Sequence, residues 1–398
     1  MADEFHVIDS RAAYDDAVEA ITGGVGPVAV DAERASGFRY SQRAYLIQVF
    51  RREAGTFLLD PTRIEDFGSL QGAIRDEEWV LHAASQDLAC LREVGLDPAH
   101  VFDTELAARL LGMPRVGLAS VVEELLGVKL AKEHSAADWS TRPLPQSWLT
   151  YAALDVELLV DVRDRLAERL VDAGKEEIAR EEFHATVHRA AKPPAAEPWR
   201  RLSGIHALRS PRNLAVARAL WQARDALAAE TDVAPGRLVP DASLLAAAKA
   251  LPESKRALAD LKAFNGRASR TELDRWWDAI ESARTAEPPA ARVPSDAPPP
   301  PRSWAARNPE ADARLRLAKA SVAEVAERLD MPLENLLTPD HLRRVAWRPP
   351  TDSTPEAIGL ALSDLGARTW QVEATSQIIA AAFVQAAQSL EDAAHEPS

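Results

Sequence analysis

The order of apolar and polar positions predicts an α/β fold for residues 1–190 of the chain. GPVAVDAE, YLIQVF and TFLLD are short apolar runs separated by polar turns, which favours an antiparallel meander of strands. WVLHAA predicts a further strand, and apolar residues at helical spacing predict the helices. These helices cover residues 65–75, SQDLACLREVGL, VFDTELAARLLG, LASVVEELLGV and one or two segments within residues 146–189.

Proline-rich segments predict where the domains end. The periodicity stops at AAKPPAAEPW, and EPPAARVPSDAPPPPR is typical of a stiff, extended spacer. The chain beyond each linker has a helical pattern. The predicted order is an α/β domain (1–190), a linker (191–198), an all-α domain (199–284), a second linker (285–302) and a second all-α domain (303–390). The linkers leave the relative orientation of the domains open, and a monomer is the simplest expectation.

Composition favours a helix-rich soluble protein of several domains, because 398 residues exceed one ordinary core and 46% of them are apolar but only 6% aromatic. The first residues, MADEFHVIDS, lack the basic and apolar regions of a signal peptide. No apolar run approaches the roughly 20 residues that span a bilayer. Cys90 is the single cysteine, so no internal disulfide can form, and its spacing with Leu88 and Leu91 predicts a core position. We predict a cytoplasmic protein without membrane contact.

The charge of the chain limits how it could bind a nucleic acid. A net charge of −14 argues against a contact over the whole surface. Residues 199–283 contain 14 basic and 10 acidic side chains, so this segment carries +4 and the remainder −18. Any contact with a polyanion would therefore be local, although a small positive excess is also typical of a solvated surface.

Acidic side chains occur at three places in the predicted α/β domain. Asp31 and Glu33 end the strand VAVDAE and point to one face, because strand side chains alternate. Asp87 lies near the start of the helix after WVLHAA, and Tyr151 and Asp155 lie one helical turn apart. Each place alone has a simpler explanation: an exposed strand end, an acid in the first turn of a helix, and the solvated side of an amphipathic helix.

Together, the four carboxylates supply the hard oxygen ligands that Mg²⁺ or Mn²⁺ prefers. Two such ions about 4 Å apart can activate a water molecule and stabilise the leaving oxygen of a phosphodiester. The sequence therefore predicts a two-metal site for phosphoryl hydrolysis. No GxxxxGK[ST] loop occurs in the chain, so a helicase and a nucleotide cofactor have no support.

The order DxE, then an Asp beginning the helix after a strand, then YxxxD resembles the DEDDy exonucleases, and the ribonuclease D family most closely. The resemblance implies a ribonuclease H-like fold, a mixed sheet flanked by helices, for residues 1–190. Residues 199–284 resemble an HRDC domain, and residues 303–390 resemble the second, more divergent HRDC-like domain of this family. The stretches that carry the resemblance in the first domain are LIQVF, LLDP, LHAASQDL, FDTELAARLLG, VVEELLGV and ADWSTRPLPQSWLTYAALDV.

The resemblance also implies a role for each side chain of the site. Asp31, Glu33 and Asp155 would bind the first of two divalent cations, Mg²⁺ or Mn²⁺. Asp31 would bridge to the second cation, which Asp87 would hold. Tyr151 would orient the attacking water, and Glu33 would also reach the 3′-hydroxyl of the terminal nucleotide. The chain reads DAER where many relatives read DTEF, so it keeps both carboxylates but lacks a threonine hydroxyl and an aromatic ring, which leaves the grip on the last base open.

Basic side chains are further candidates for contacts with a nucleic acid. Arg142 and Lys132 precede the predicted helix of Tyr151, and Arg142 would contact a phosphate or, equally well, pair with an acid in a structural role. In the HRDC-like segment, the candidates for contacts with the RNA backbone are Arg209, Arg212, Arg267 and Arg270.

Other polar and aromatic residues have structural explanations. Asp103 precedes Thr104 and a helical pattern, which predicts a helix cap. His82 at a strand end is typical of a structural imidazole with its hydrogen bonds satisfied. Core positions are predicted for Trp276, Trp277, Trp304, Trp347 and Trp370.

The two-metal pattern together with the resemblance to the ribonuclease D family implies a metal-dependent 3′–5′ exoribonuclease that releases nucleoside 5′-monophosphates. The resemblance implies that its RNA partners are the 3′ ends of tRNA precursors and of other small structured RNAs, with the HRDC-like domains positioning the RNA body. One alternative is a 3′–5′ DNA exonuclease for repair, because discrimination by the 2′-hydroxyl depends on contacts that the sequence does not locate. Another is a non-catalytic scaffold that binds nucleic acid through the HRDC-like domains.

Overall fold

A computed structural model of the protein describes residues 5–130, 136–190, 193–290 and 296–395. The first of its parts is built around a six-stranded sheet in the spatial order β1-β4-β3-β2-β5-β6. Its strands are β1 (Val7–Ile8), β2 (Val25–Arg34), β3 (Ala44–Arg52), β4 (Gly55–Leu59), β5 (Glu78–Leu81) and β6 (His100–Asp103). Its helices are α1 (Arg11–Gly23), α2 (Gly68–Ile74), α3 (Leu88–Glu93), α4 (Thr104–Leu110), α5 (Leu118–Leu126), α6 (Gln146–Glu157), α7 (Leu159–Asp172) and α8 (Glu176–Val187).

The pairing of the strands makes this a mixed sheet. Strands β2, β3 and β4 pair antiparallel, as the meander predicts. Strands β5 and β6 pair parallel with β2 and β5, and β1 pairs parallel with β4. The prediction of a helix throughout VFDTELAARLLG was wrong at its start, because His100–Asp103 forms the edge strand β6 before α4 begins. The short apolar run at this point completes the sheet beside β5.

The two faces of β2 have different environments. Val28, Val30 and Ala32 are buried in one core with α1, α2 and α3. Ala29 faces the opposite side and packs against α6 and α7, so Asp31 and Glu33 share that side by the alternation of strand side chains. The acidic side chains of β2 therefore point toward the helix that carries Tyr151 and Asp155.

The middle part of the chain is a helical domain with its own core. Trp276 is fully buried at its centre, where its ring contacts Phe264 edge-on at 6.3 Å between centroids. Trp277 is half-buried, with the Arg284 guanidinium 5.1 Å from its ring. Its helices are α9 (Pro211–Thr231), α10 (Pro235–Leu238), α11 (Asp241–Ala250), α12 (Lys255–Ala259), α13 (Arg267–Thr271) and α14 (Leu273–Thr285).

The C-terminal part is also helical, and its last helix continues past the predicted boundary at residue 390. Trp304 and Trp370 are buried as predicted, and Trp347 packs on Trp304 at 4.8 Å between ring centroids. The helices are α15 (Trp304–Arg307), α16 (Pro309–Arg328), α17 (Leu333–Leu336), α18 (Pro339–Trp347), α19 (Pro355–Asp364) and α20 (Thr369–His395). No helix within the described ranges is long and apolar enough to cross a membrane.

The C-terminal helices and the α/β part share one continuous apolar core. Phe102 and Phe183 belong to the same cluster of buried side chains as Trp304 and Phe383. The backbones approach closely at Gly112, where a Cβ would lie 2.5 Å from the carbonyl oxygen of Asp330. The two parts are therefore joined by packing as well as by the chain.

Candidate active site

Five of the predicted side chains line one cavity of about 560 Å³ at the end of the sheet. Asp31 and Glu33 come from the end of β2, and Tyr151 and Asp155 come from α6. Asp87 lies between a 3₁₀ turn, Ala84–Gln86, and the first residue of α3. Residues that are distant in the chain thus meet where strands β2 and β5 end.

Three of the carboxylates are close enough to share a ligand. One oxygen atom each from Asp31, Glu33 and Asp155 lies within 4.8 Å of the others. Asp87 is not one of these three converging acids. It is buried, and the Nη2 atom of Arg34 lies 3.7 Å from its Oδ1 atom. The Asp31 carboxylate accepts a hydrogen bond of 2.9 Å from the backbone N–H of Ala32.

Burial and mutual repulsion raise the pKa values of these acids. The pKa of Asp155 is about 7, because burial and the charge of Asp31 outweigh the hydrogen bond from Tyr151. The pKa of Asp87 is about 8, since burial and Asp31 outweigh the attraction of Arg34. Burial likewise raises the pKa values of Asp31 and Glu33. Such a group of acids binds protons or cations readily, because either relieves the repulsion.

Tyr151 stays protonated at neutral pH. Burial and the charges of Asp155 and Glu33 raise its pKa, and its hydroxyl donates a hydrogen bond to Asp155. Its ring lies 6.5 Å from the ring of Trp139, centroid to centroid, and Trp139 is fully buried. The phenol is therefore a fixed hydrogen-bond donor at the rim of the acidic group.

Asp103 caps α4, which confirms that prediction, and it also shapes the segment that leads to Asp87. Its carboxylate accepts hydrogen bonds from the backbone N–H groups of Glu105 and Leu106 in α4. It also accepts 3.0 Å hydrogen bonds from the N–H groups of Ala83 and Ala84. Ala83 has a φ of 63°, a conformation that favours glycine, so these bonds hold a strained turn in place.

His82 is a structural imidazole, as predicted. Its Nδ1 atom lies 2.9 Å from the hydroxyl of Thr104. Burial lowers its pKa to about 4, so the ring is neutral at pH 7 although it lines the cavity. Cys90 is buried too, and its thiol donates to the carbonyl oxygen of Asp87 at 3.1 Å, which confirms its core position.

Comparison with known proteins identifies the family. A family model described as 3′-5′ exonuclease matches residues 5–171, one described as HRDC domain matches residues 213–280, and one described as 3′ to 5′ exonuclease C-terminal domain matches residues 297–383. Ribonuclease D of Pseudomonas paraeruginosa is 30% identical over 316 residues, which cover 78% of this chain and 81% of the relative. The chain belongs to the ribonuclease D family.

Solved structures agree with this membership. A protein from Bifidobacterium adolescentis is 36% identical with a TM-score of 0.88, and the match covers 96% of this chain and 97% of that chain. Escherichia coli RNase D, described as an exoribonuclease involved in structured RNA processing, gives a TM-score of 0.68 at 26% identity and covers 97% and 99% of the two chains. The predicted fold class is therefore confirmed, and the protein is a ribonuclease D-like 3′–5′ exonuclease.

The donor set fits the divalent-metal dependence of the ribonuclease D family. Asp31, Glu33 and Asp155 converge with their oxygen atoms, which are hard, anionic ligands suited to a divalent cation. Burial raises the pKa values of all three acids, and repulsion from Asp31 adds to the shift at Glu33 and Asp155. A bound cation would relieve this repulsion.

Arg142 pairs with an acid in a structural role, which was the alternative to the phosphate contact predicted for it from the sequence. Its guanidinium binds Asp60 through Nε at 2.7 Å and Nη2 at 2.9 Å. Its remaining N–H groups donate to the carbonyl oxygens of Trp139, Thr141 and Tyr45. These contacts use all five donors of the guanidinium. Lys132, the other candidate in this region, lies outside the described residues.

We expect Arg142→Ala to lower the free energy of unfolding by about 3 kcal/mol, because it leaves the buried Asp60 carboxylate without its charged partner. Urea denaturation measures this loss. The exposed Arg165→Ala, which breaks a surface pair with Glu168, is the control and should change stability by less than about 0.5 kcal/mol. A similarly small loss for Arg142→Ala would contradict the structural role.

The arginines predicted to contact RNA in the HRDC domain are on its surface. Arg209, Arg212, Arg267 and Arg270 are all exposed. Exposure leaves their guanidinium groups accessible to a polyanion, and their contact with RNA stays a prediction.

Sequence reasoning missed one polar residue beside the acids. Gln48 pairs with Asp31 across strands β2 and β3, and it is fully buried. Neither of its side-chain amide atoms has a hydrogen-bond partner among the described residues. The stretch LIQVF contains this glutamine between apolar neighbours, so the signal available was a polar residue at a core position of a strand.

Proposed function

We propose that this protein is an exoribonuclease that removes nucleoside 5′-monophosphates from the 3′ ends of tRNA precursors and other small structured RNAs. The observation that carries the proposal is the convergence of Asp31, Glu33 and Asp155, with Tyr151 hydrogen-bonded to Asp155, in a chain of the ribonuclease D family. The E. coli relative is described as an enzyme of structured RNA processing, which supports RNA as the substrate. A cytoplasmic location and a monomeric state stay predictions from the sequence.

In this proposal, Asp31, Glu33 and Asp155 would hold one divalent cation, and Asp31 and Asp87 would hold a second. When bound, Mg²⁺ or Mn²⁺ ions supply activation of water and stabilisation of the leaving 3′ oxygen. Tyr151 would orient the attacking water, because its phenol keeps its proton and is anchored on Asp155. Glu33 would also accept a hydrogen bond from the 3′-hydroxyl of the terminal nucleotide. Arg34 lines the same cavity and reduces the repulsion around Asp87.

Matched RNA and DNA strands test the substrate class. Each strand carries a 5′ label and the same base sequence, and degradation is followed with Mg²⁺ present. We expect stepwise shortening of RNA from its 3′ end and release of 5′-monophosphates. Faster loss of the DNA strand would favour a DNA exonuclease instead, and binding of either strand without cleavage would favour a scaffold.

The pKa values of the acids predict how metal binding depends on pH. Cations bind the charged carboxylates, so affinity should rise with pH through the range where Asp155 (pKa about 7) and Asp87 (pKa about 8) lose their protons. Without metal, these groups keep protons in the folded protein that the unfolded chain releases near pH 4, so their contribution to stability falls as pH rises from about 4 to 8. Added Mg²⁺ should oppose this fall.

Thermal unfolding measures this prediction. Mg²⁺ should raise Tm by several degrees at about pH 8 and by less than half as much at about pH 6. The Asp155→Asn variant is the control, because it removes one of the titrating ligands. An equal Mg²⁺ effect at both pH values in the unmodified protein would contradict the linkage.

A further inference from the structure

The cavity lined by Asp31, Glu33, Asp87, Tyr151 and Asp155 is the catalytic cavity of the proposed function, and its wall includes a loop that the HRDC domain holds. This rim loop, residues 35–43, connects β2, which ends just after Glu33, to β3. Gly37 and Phe38 of the rim loop line the cavity together with the acids. A tight turn closes the start of the loop, because the N–H groups of Phe38 and Arg39 both donate to the carbonyl oxygen of Ala35 at 2.8 Å.

One group of contacts fixes the residues that face the cavity. The N–H of Ala234 donates to the carbonyl oxygen of Phe38 at 2.9 Å, a backbone bond between the two domains. The Nε–H of Arg237 donates to the carbonyl oxygen of Gly37 at 2.7 Å. The Arg237 guanidinium also lies 3.8 Å from the centroid of the Phe38 ring, which is a close cation–π contact.

A second group of contacts fixes the far end of the loop on Asp232, the C-cap residue that follows α9. Asp232 accepts hydrogen bonds from the N–H of Ser41 at 2.9 Å and from the hydroxyl of Tyr45 at 3.2 Å. Although burial opposes the shift, these hydrogen bonds lower the pKa of Asp232, so the carboxylate is charged at neutral pH. Tyr40 adds a hydrogen bond of 3.2 Å to Asp225 in α9.

We propose that the HRDC domain is a structural part of the catalytic cavity, in which Arg237, Ala234 and Asp232 hold the rim loop in the position that receives the terminal nucleotide. This inference rests on the proposed function, since it concerns binding at the same site. A glycine-containing loop that connects two strands loses conformational entropy when it is ordered for binding. The HRDC contacts order the rim loop in the free protein, so substrate binding does not have to supply that free energy. Arg237 is therefore a positioning residue, which acts through Gly37 and Phe38.

This role differs from a contact between the HRDC surface and the body of the RNA. A surface contact would affect only substrates long enough to reach it. A rim loop that is no longer held in position would weaken the binding of every substrate, including a dinucleotide that occupies only the cavity. It would weaken ground-state binding, so KM would rise while kcat changed little.

The experiment uses the full chain with Arg237→Ala and Asp232→Ala. Hydrogen exchange of residues 35–43 should accelerate about fivefold or more in both variants. For Arg237→Ala, KM for an RNA dinucleotide, or its inhibition constant against a longer strand, should rise about 5- to 10-fold with kcat within about twofold. The longer strand should show a similar rise. Arg256→Ala is the matched control, because it removes another exposed arginine of the HRDC domain, one whose ion-pair partner, Asp260, lies in the same domain.

The possible results distinguish the positioning role of the HRDC domain from a contact with the RNA body and from a failure of the proposed function. Unchanged exchange in the rim loop, or a rise in KM confined to the longer strand, would overturn the positioning role. Faster exchange with an unchanged dinucleotide KM would show that the loop is held but does not serve binding, which also overturns it. An unmodified protein that hydrolyses no RNA would refute the proposed function, and the exchange measurement would still test the contact between the domains.

Discussion

The Asp155→Asn variant is expected to lose roughly 10³-fold in kcat for RNA hydrolysis while its fold is unchanged. Asp155 is buried, its carboxylate lies within 4.8 Å of those of Asp31 and Glu33, and it accepts the hydrogen bond of Tyr151. An amide of the same shape has no charge to offer a cation. It also reverses the donor and acceptor relation with the phenol if its nitrogen faces Tyr151.

The same substitution should not destabilise the metal-free protein. Burial and, to a smaller extent, repulsion from Asp31 already disfavour the charged form of Asp155 and raise its pKa to about 7. A neutral side chain relieves this repulsion, so Tm in the absence of metal should stay the same or rise. RNA binding, measured by fluorescence anisotropy, should remain within about threefold of the unmodified protein.

Glu157→Gln is a matched control on the same helix. Glu157 accepts a hydrogen bond from Thr56 at 2.8 Å and does not line the catalytic cavity. Its kcat should remain close to that of the unmodified protein. If Asp155→Asn kept more than about a tenth of the activity, the proposed metal ligation by Asp155 would be wrong.

Glu182→Ala is expected to lower the free energy of unfolding by about 3 kcal/mol or more. Glu182 is 4% exposed on α8 and joins the α/β part to the C-terminal helices. Its carboxylate accepts from the guanidinium of Arg368, with 2.7 Å to Nε, and from Trp370 Nε1 at 2.9 Å. Its removal leaves a guanidinium and an indole N–H without their acceptor in a buried contact.

Urea denaturation measures this loss, and Glu177→Ala gives the reference. Glu177 lies on the same helix and also pairs with an arginine, Arg180, but both side chains are about two-thirds exposed, at 67% and 68%. That pair should contribute less than about 0.5 kcal/mol. A loss below about 1 kcal/mol for Glu182→Ala would show that the interface does not depend on the buried pair.

The sequence predicted most of the α/β part because its signals are local. Alternating and continuous apolar runs identified strands β2 to β5, and helical spacing identified helices α2 to α8, but strand β1 and helix α1 were not predicted. The prediction was wrong at β6, because these four residues have few flanking signals and fit the first turn of α4 equally well. Only the neighbouring strand β5, distant in the chain, decides that His100–Asp103 is extended.

In the candidate site, too, the sequence predicted the features that depend on local motifs and missed those that depend on contacts distant in the chain. Residue type, order and spacing singled out Asp31, Glu33, Asp87, Tyr151 and Asp155, because a motif keeps its chemistry in the linear chain. Arg142 could not be assigned from the sequence, since its partner Asp60 is remote in the chain and its other acceptors are backbone oxygens. Burial of Gln48 beside Asp31 was likewise decided by the pairing of two strands.

The sequence by itself determined the family and the types and spacing of the acidic side chains, because these depend on which residues are present and how they are arranged along the chain. Only the tertiary structure decided how the domains combine. It buries Glu182 against Arg368 and Trp370 in a core shared with the C-terminal helices, and it places Arg237 on the rim loop of the catalytic cavity. Contacts between residues nearly 200 positions apart leave no periodic pattern in either segment, so they are visible only in the folded structure.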